Sequence, residues 1–388
     1  MGQPRAVPAP KHVIPIEIYR DAAWLEVRVN GSKPLSFILD SGAGRSVVAR
    51  DTAEKLGMEI VEQGEMSNIG PAEAKVQVAA SPNVVFEMGG VAVTTHAMLL
   101  PFDVPSNGWG KRFDGAIGYE LFAAWVVEVD FEKEQLRLYD PASYEYRGKG
   151  AVLPLRVQGK HPLTRARVGL PGMEPVEGDF MVDLGGVSSV VFTAPFVRKY
   201  DLLAAARKMV PRLMESPHAG VGGTGRRVDG RVQYVELGPY RVATPIAGFG
   251  QAESGALASD GYAGIIGCHL LHRFQVIFDY RRGQLIVEPN AHFADPQDEI
   301  DMSGMGLHAR GENYGEIYVA SLEPDSPAAG SGIRTGDVLV AVDGRPVAGT
   351  LVYRVIDLFK RTGVEHRVLV ERPGGDRREF RFTTRRVL

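Results

Sequence analysis

The chain reads as a mainly β protein: a bilobal body made of two homologous β-barrel lobes, followed by a small third domain. Three observations predict this. Short runs rich in Val, Ile, Phe and Tyr, punctuated by Gly, Pro, Asn and Asp, dominate up to about residue 290. Within that stretch one block of sequence occurs twice. Beyond about residue 300 the pattern changes to turn-rich motifs that match neither copy.

The duplication is the strongest signal. Phe37-Ile38-Leu39-Asp40-Ser41-Gly42-Ala43 has its counterpart in Phe180-Met181-Val182-Asp183-Leu184-Gly185-Gly186. In both, Ser-Val-Val starts six residues after the aspartate, at Ser46 and Ser189. Gly115-Ala116-Ile117-Gly118 and Gly264-Ile265-Ile266-Gly267 follow, with the last glycine 78 and 84 residues after its aspartate. Asp130 and Asp279 each lie twelve residues beyond that glycine, and Gln135-Leu136 and Gln284-Leu285 start five beyond those aspartates. Apolar patterning alone would not fix the glycines, so ordered matches of this kind indicate an internal repeat. Two aspartates on equivalent loops suggest a site where two carboxylates meet at a pseudo-twofold axis.

Composition bounds the rest. A length of 388 residues suits two or three domains, and 44% apolar content is that of an ordinary globular protein. A net charge of −3 does not suggest binding to nucleic acid or anionic membrane. No apolar run approaches the roughly 20 residues that span a bilayer. The single cysteine, Cys268, excludes an intrachain disulfide. Met1–Pro10 reads as a flexible Pro/Ala lead-in without the apolar core of a signal peptide.

The expected strands include Val13–Ile18, Trp24–Val29, Phe37–Leu39, Val84–Met88, Trp125–Asp130, Gln135–Tyr139, Val232–Leu237 and Gln275–Phe278. Val47–Leu56 reads as a helix stopped by Gly57, and Phe196–Met209 as a second, with Thr193 as cap and Pro195 in the first turn. Polar Pro141–Lys149 and acidic Ala291–Asp301 mark boundaries, giving lobes over 12–145 and 150–292 and a third domain over 300–388. That domain opens with Met305-Gly306-Leu307 and an alternating strand, Glu316–Leu322. Ser326-Pro327-Ala328, Gly332-Ile333, Gly336-Asp337 and Val342-Asp343-Gly344 come next, then an amphipathic helix over Leu351–Thr362.

Paired Asp-x-Gly loops, each followed by an apolar-apolar-Gly element, resemble those of aspartic proteases of the pepsin and retropepsin type. The resemblance covers roughly residues 12–290, with both lobes in one polypeptide as in pepsin. It implies a pepsin-like double β-barrel with Asp40 and Asp183 as the catalytic pair. Ser41, Gly42, Ala43, Gly185 and Gly186 would support the catalytic loops, and Gly118 and Gly267 would brace them. The C-terminal motifs resemble a PDZ domain of the kind attached to bacterial proteases, with Met305, Gly306 and Leu307 as the carboxylate-binding loop. This implies a bacterial protein, periplasmic or exported if a signal peptide was removed and otherwise cytoplasmic, whose partners are a polypeptide substrate and a peptide C-terminus or loop held in the PDZ groove. No cofactor and no metal are expected.

The chemistry fits these residue types. Two adjacent carboxylates cannot both ionise cheaply, so they share a proton. The ionised one takes a proton from water, while the protonated one donates to the scissile carbonyl and then to the leaving nitrogen. Two departures from the family pattern matter. Leu184 stands where the family has Thr or Ser, so one half of the hydroxyl clamp between the loops is missing. Ala43 and Gly186 supply no hydroxyl to stabilise an ionised carboxylate, which predicts a dyad less acidic than pepsin's and activity nearer neutral pH.

Gly64–Val76 and Ala219–Arg231 are expected to cover the site and hold substrate as an added strand. Gly220-Val221-Gly222-Gly223-Thr224-Gly225 matches the dinucleotide fingerprint, but a strand pattern follows it where a helix should open. Cys268, His269 and His272 sit too close on one short helix for tetrahedral metal geometry. Ser46 and Ser189 lack a nucleophile elbow, and Arg377–Arg386 reads as a solvated sheet face. Val387-Leu388 is a candidate PDZ ligand. Two rivals stay open: a protease fold that binds peptide without turnover, and a retropepsin-like homodimer that uses Asp40 alone.

Overall fold

The computed structural model describes residues 9–66, 75–210, 213–221, 223–296 and 299–386. Most of the Met1–Pro10 lead-in and the Val387-Leu388 candidate ligand lie outside these. The polypeptide divides into two compact units: one of residues 1–102 with 114–297, the other of Asp103–Phe113 with 298–388. Among the described residues no helix is long and apolar enough to cross a membrane.

The first unit is built from the duplicated block. In the first copy, Leu35–Leu39 pairs in parallel with Gly115–Ile117, which pairs antiparallel with Val47–Ala49, which pairs in parallel with Val91–Leu100. The second copy repeats this with Val176–Val182, Gly264–Ile266, Val190–Phe192 and Ile246–Gly250. The registers match: Leu39 faces Ile117, and Val182 faces Ile266. Each central strand is buried along its length, which explains apolar runs without alternation.

The copies are joined by a sheet to which both contribute. Its order is His12–Pro15, Gln135–Tyr139, Val126–Asp130, Phe274–Asp279, Gln284–Pro289 and Ala151–Gln158. Val127, Val129, Leu136, Leu138, Val276 and Phe278 from this sheet are fully buried in the core that runs through the unit. The repeated Asp130 and Asp279 end equivalent strands there, accepting the N–H of Lys133 and Arg282 in equivalent turns.

Several element boundaries differ from expectation. Val47–Ala49 is a strand, and the helix covers only Arg50–Lys55. Tertiary pairing on both sides overrides the helical pattern there. The second expected helix is two, Ala194–Tyr200 and Leu202–Ala206, because Asp201 adopts a left-handed conformation with φ 48°. Thr193 precedes the first of them but donates its hydroxyl to Tyr262 O instead of capping. The expected boundary over Ala291–Asp301 contains a short 3-10 turn, Ala291–Ala294. Of the expected covers, Val61–Met66 pairs with Val76–Met88 as a hairpin, with residues 67–74 outside the described part. Met214–Gly220 and Gly223–Arg231 form the other hairpin, so Gly220, Gly223, Thr224 and Gly225 of the glycine-rich fingerprint lie in antiparallel strands, Val221 lies in a turn, and Gly222 is outside the described residues.

The second unit has its own sheet, ordered Met305–Arg310, Glu316–Leu322, Val338–Val342, Glu365–Glu371 and Arg377–Thr383. Two helices, Pro327–Ser331 and Val352–Leu358, complete the C-terminal part, the latter shorter than the expected Leu351–Thr362. Leu307, Val319, Ile333, Phe359, Val368 and Val370 form its separate core. Met305, Gly306 and Leu307 open an edge strand where a loop was expected, with Met305 and Leu307 buried and a register shift after Gly306. The turn before them is tied by Asp301, whose Oδ1 accepts from the N–H groups of Ser303 and Gly304.

Candidate active site

Asp40 and Asp183 end equivalent strands, and a backbone bond of the same kind sets each. The N–H of Asp40 donates to Ile117 O and that of Asp183 to Ile266 O, both at 2.9 Å. Gly118 and Gly267 then press against the two loops. A Cβ on Gly118 would lie 2.6 Å from Ala43 O, and one on Gly267 2.4 Å from Gly186 O. Only glycine allows that approach. The next residues complete the symmetry: Tyr119 N–H donates to Ala43 O and Cys268 N–H to Gly186 O.

The loops meet across the pseudo-twofold axis. A Cβ on Gly42 would lie 2.7 Å from Asp183 Cγ, and one on Gly185 2.4 Å from Asp40 Cγ. The two carboxyl groups hydrogen-bond to each other. Asp40 Oδ1 accepts from Ala43 N–H and Asp183 Oδ1 from Gly185 N–H, both at 2.8 Å. Burial, then the charge of Asp183 and the bond to it, holds Asp40 well above the usual carboxylate range. Burial also raises Asp183, while the Gly185 N–H, the bond from Asp40, the Gly186 N–H and the charge of His161 pull it back. Both carboxyls are thus raised by burial, and a single proton shared between them belongs to the pair. The pair can activate a water and donate a proton at the same time.

The hydroxyl clamp is one-sided. Ser41 Oγ is fully buried, donates to Val182 O at 2.7 Å and accepts from Leu184 N–H at 3.0 Å. Leu184 is fully buried in the apolar core and returns no side-chain bond. Its carbonyl instead accepts from the Cys268 thiol, which burial keeps protonated. His269 and His272 face Asp21 of the other lobe at 3.5 and 3.7 Å. The Cys268–His272 cluster thus has structural partners of its own.

Sequence reasoning missed three neighbours. His161 Nδ1 lies 2.9 Å from Gly42 O, carried there by the turn between Ala151–Gln158 and His161–Gly169. Glu120 accepts from Ser46 N–H and Ser46 Oγ, and Ser46 Oγ accepts from Gly118 N–H, which locks the first bracing element to its loop. Its counterpart two residues after Gly267 is His269, so the second loop has no such carboxylate. Tyr280 Oη is buried without a partner and feels the charge of Asp40. Only Glu120 was within reach of the sequence, since it sits beside a repeated glycine.

Comparison with known proteins matches two family models to parts of the sequence. Residues 25–121 match the family model described as aspartyl protease, and residues 303–384 match that of the PDZ domain. Among solved structures, soybean basic 7S globulin is similar over 74% of this chain and 97% of its own, at 10% identity and a TM-score of 0.41. No curated protein matches the sequence. On a mainly β fold, the protein thus matches an aspartyl protease domain towards its N-terminal end and a PDZ domain at its C-terminal end.

Proposed function

We propose that the protein is an aspartic endopeptidase with lobes over 12–145 and 150–292 and a PDZ domain over 300–388. The observation that carries the reading is the facing of Asp40 and Asp183, each against the glycine of the opposite loop. Ionised Asp183 removes a proton from a water held between the carboxyl groups. The resulting hydroxide attacks the peptide carbonyl carbon as Asp40 gives its proton to the carbonyl oxygen. Asp183 then passes the water's proton to the leaving nitrogen, the C–N bond breaks as one hydroxyl of the tetrahedral intermediate gives its proton back to Asp40 and the carbonyl re-forms, and the dyad returns to one shared proton. Extended substrate would lie as an added strand beneath the paired strands Val61–Met66 with Val76–Met88 and Met214–Gly220 with Gly223–Arg231. The PDZ groove would hold a peptide C-terminus or loop and thereby recruit substrate or regulate the site. The carboxylate facing Asp40 comes from the same polypeptide, which favours a site built within one molecule over a homodimer.

The test is cleavage of a diverse fluorogenic peptide library by wild type, Asp40→Asn and Asp183→Asn. Loss in both variants supports the reading. Loss only in Asp40→Asn favours a homodimer. A folded wild type that cleaves nothing across pH 3–8 favours the peptide-binding alternative, for which the one-sided clamp at Leu184 speaks.

A further inference from the structure

We propose that the PDZ groove is filled in cis by the protein's own segment Asp103–Phe113, and that an incoming peptide binds by displacing it. The inference rests on the peptide-binding reading of that domain. The groove lies between the edge strand Met305–Arg310 and the helix Val352–Leu358. Among the described residues that strand pairs only with Glu316–Leu322, so its other edge is open in the sheet and suited to an added strand.

The segment arises inside the protease block, between the strands Val91–Leu100 and Gly115–Ile117, yet it packs into the same compact unit as residues 298–388. Its helix, Asp103–Trp109, lies against the edge strand. Gly110 makes the closest approach possible, and Gly108 lies at ordinary contact distance. Gly108 stands so that a Cβ would be 3.7 Å from His308 Nε2. Gly110, at φ +64°, stands so that a Cβ would be 2.7 Å from Val352 Cγ1 and 3.3 Å from Ala309 Cβ. The backbone is fixed in this shape by Gly110 N–H and Lys111 N–H, both donating to Ser106 O. Trp109 and Phe113, edge to face at 6.0 Å, are both buried. Ala309 is four residues along the strand from Met305, roughly 13 Å at the strand's rise per residue. The segment therefore meets the groove where the upstream residues of a C-terminal peptide would run.

The experiment uses the full-length protein in an Asp40→Asn background, so that the probe is not cut. Gly110→Cys with Val352→Cys places two Cβ atoms about as close as a disulfide needs, and Val352→Cys removes the crowding methyls. The native thiol, Cys268, is buried. Expected is disulfide formation under mild oxidation, seen as a mass loss of two hydrogens. A fluorescein-labelled ten-residue peptide with a free apolar C-terminus should then bind at least about tenfold more weakly than after reduction. A second variant, with Ser106–Lys111 replaced by six Gly/Ser residues, should bind the peptide at least about tenfold more tightly than the parent. Failure of the disulfide to form in the folded protein, or equal affinity in all forms, overturns the proposal. Disulfide formation with no peptide bound by any form supports cis occupancy and refutes peptide binding instead.

Discussion

Ser41 donates its hydroxyl proton to Val182 O, and no side-chain bond runs the opposite way, since Leu184 has no hydroxyl to offer. The clamp between the two aspartate loops thus hangs on one side chain. Ser41→Ala leaves Val182 O and Leu184 N–H without this partner in a buried place. The expected cost is about 1–3 kcal/mol of stability. Because the second hydroxyl of the family pattern is absent, kcat should fall by at least about tenfold. Urea denaturation and peptidase kinetics of the same variant check both; unchanged kcat would show that the clamp does not hold the dyad.

Gly185→Ala puts a methyl 2.4 Å from Asp40 Cγ. The carboxyl must move by more than the tolerance of a positioned catalytic pair, so kcat should drop by at least about a hundredfold. The fold should survive, as the group displaced faces the site and not the core. Circular dichroism should match wild type while cleavage is lost.

The activity profile follows from the raised dyad. Catalysis needs one proton on the pair, and both carboxyls are held above the usual range by burial. The bell-shaped profile should accordingly centre above the strongly acidic range, nearer neutral pH. An optimum below about pH 3 would sink this expectation.

Stability should carry the same signature. A carboxyl whose folded pKa is raised contributes stability that is full below its unfolded pKa, about 4, and that is lost as pH rises through the folded value. Wild type should thus lose stability relative to Asp40→Asn as pH climbs from about 4. Thermal melts of the two proteins from pH 3.5 to 8 read it directly; parallel curves would refute it.

In the second unit Asp301 offers an independent pH handle. Burial raises it to about 7 against three hydrogen bonds that favour its charge, and its Oδ2 is buried without a partner. The sign is again that of a raised acid: stability is present below about pH 4 and shed as pH passes about 7. Each pH unit between the unfolded and folded midpoints is worth about 1.4 kcal/mol. Asp301→Asn should flatten this limb while the first unit's response stays. Amide exchange of the Met305–Arg310 strand between pH 5 and 8 resolves the two.

What could be read from the sequence was what the duplication repeats. Asp40, Asp183, Gly118 and Gly267 were legible because the same spacing occurs twice and only glycine tolerates the close approach. The strand at Val47–Ala49 was misread because its burial on both sides comes from pairing with Gly115–Ile117 and Val91–Leu100, which periodicity cannot convey. Asp201 broke a helix through its own left-handed backbone, which no neighbouring residue announces. His161 reaches Gly42 from 119 residues away, and a lone histidine after a turn carries no signal of that. The Asp103–Phe113 segment gave no sign of its role, because its partners Ala309 and Val352 lie some two hundred residues onward.

That segment changes how the molecule can be taken apart or inherited. The backbone passes between the two units three times: at 102–103, at 113–114 and between 296 and 299. A recombination event that exchanged only the C-terminal domain would separate Gly110 from Val352 and Ala309. The two stretches are expected to have been tuned to each other as one inherited unit, and any chimera must carry both.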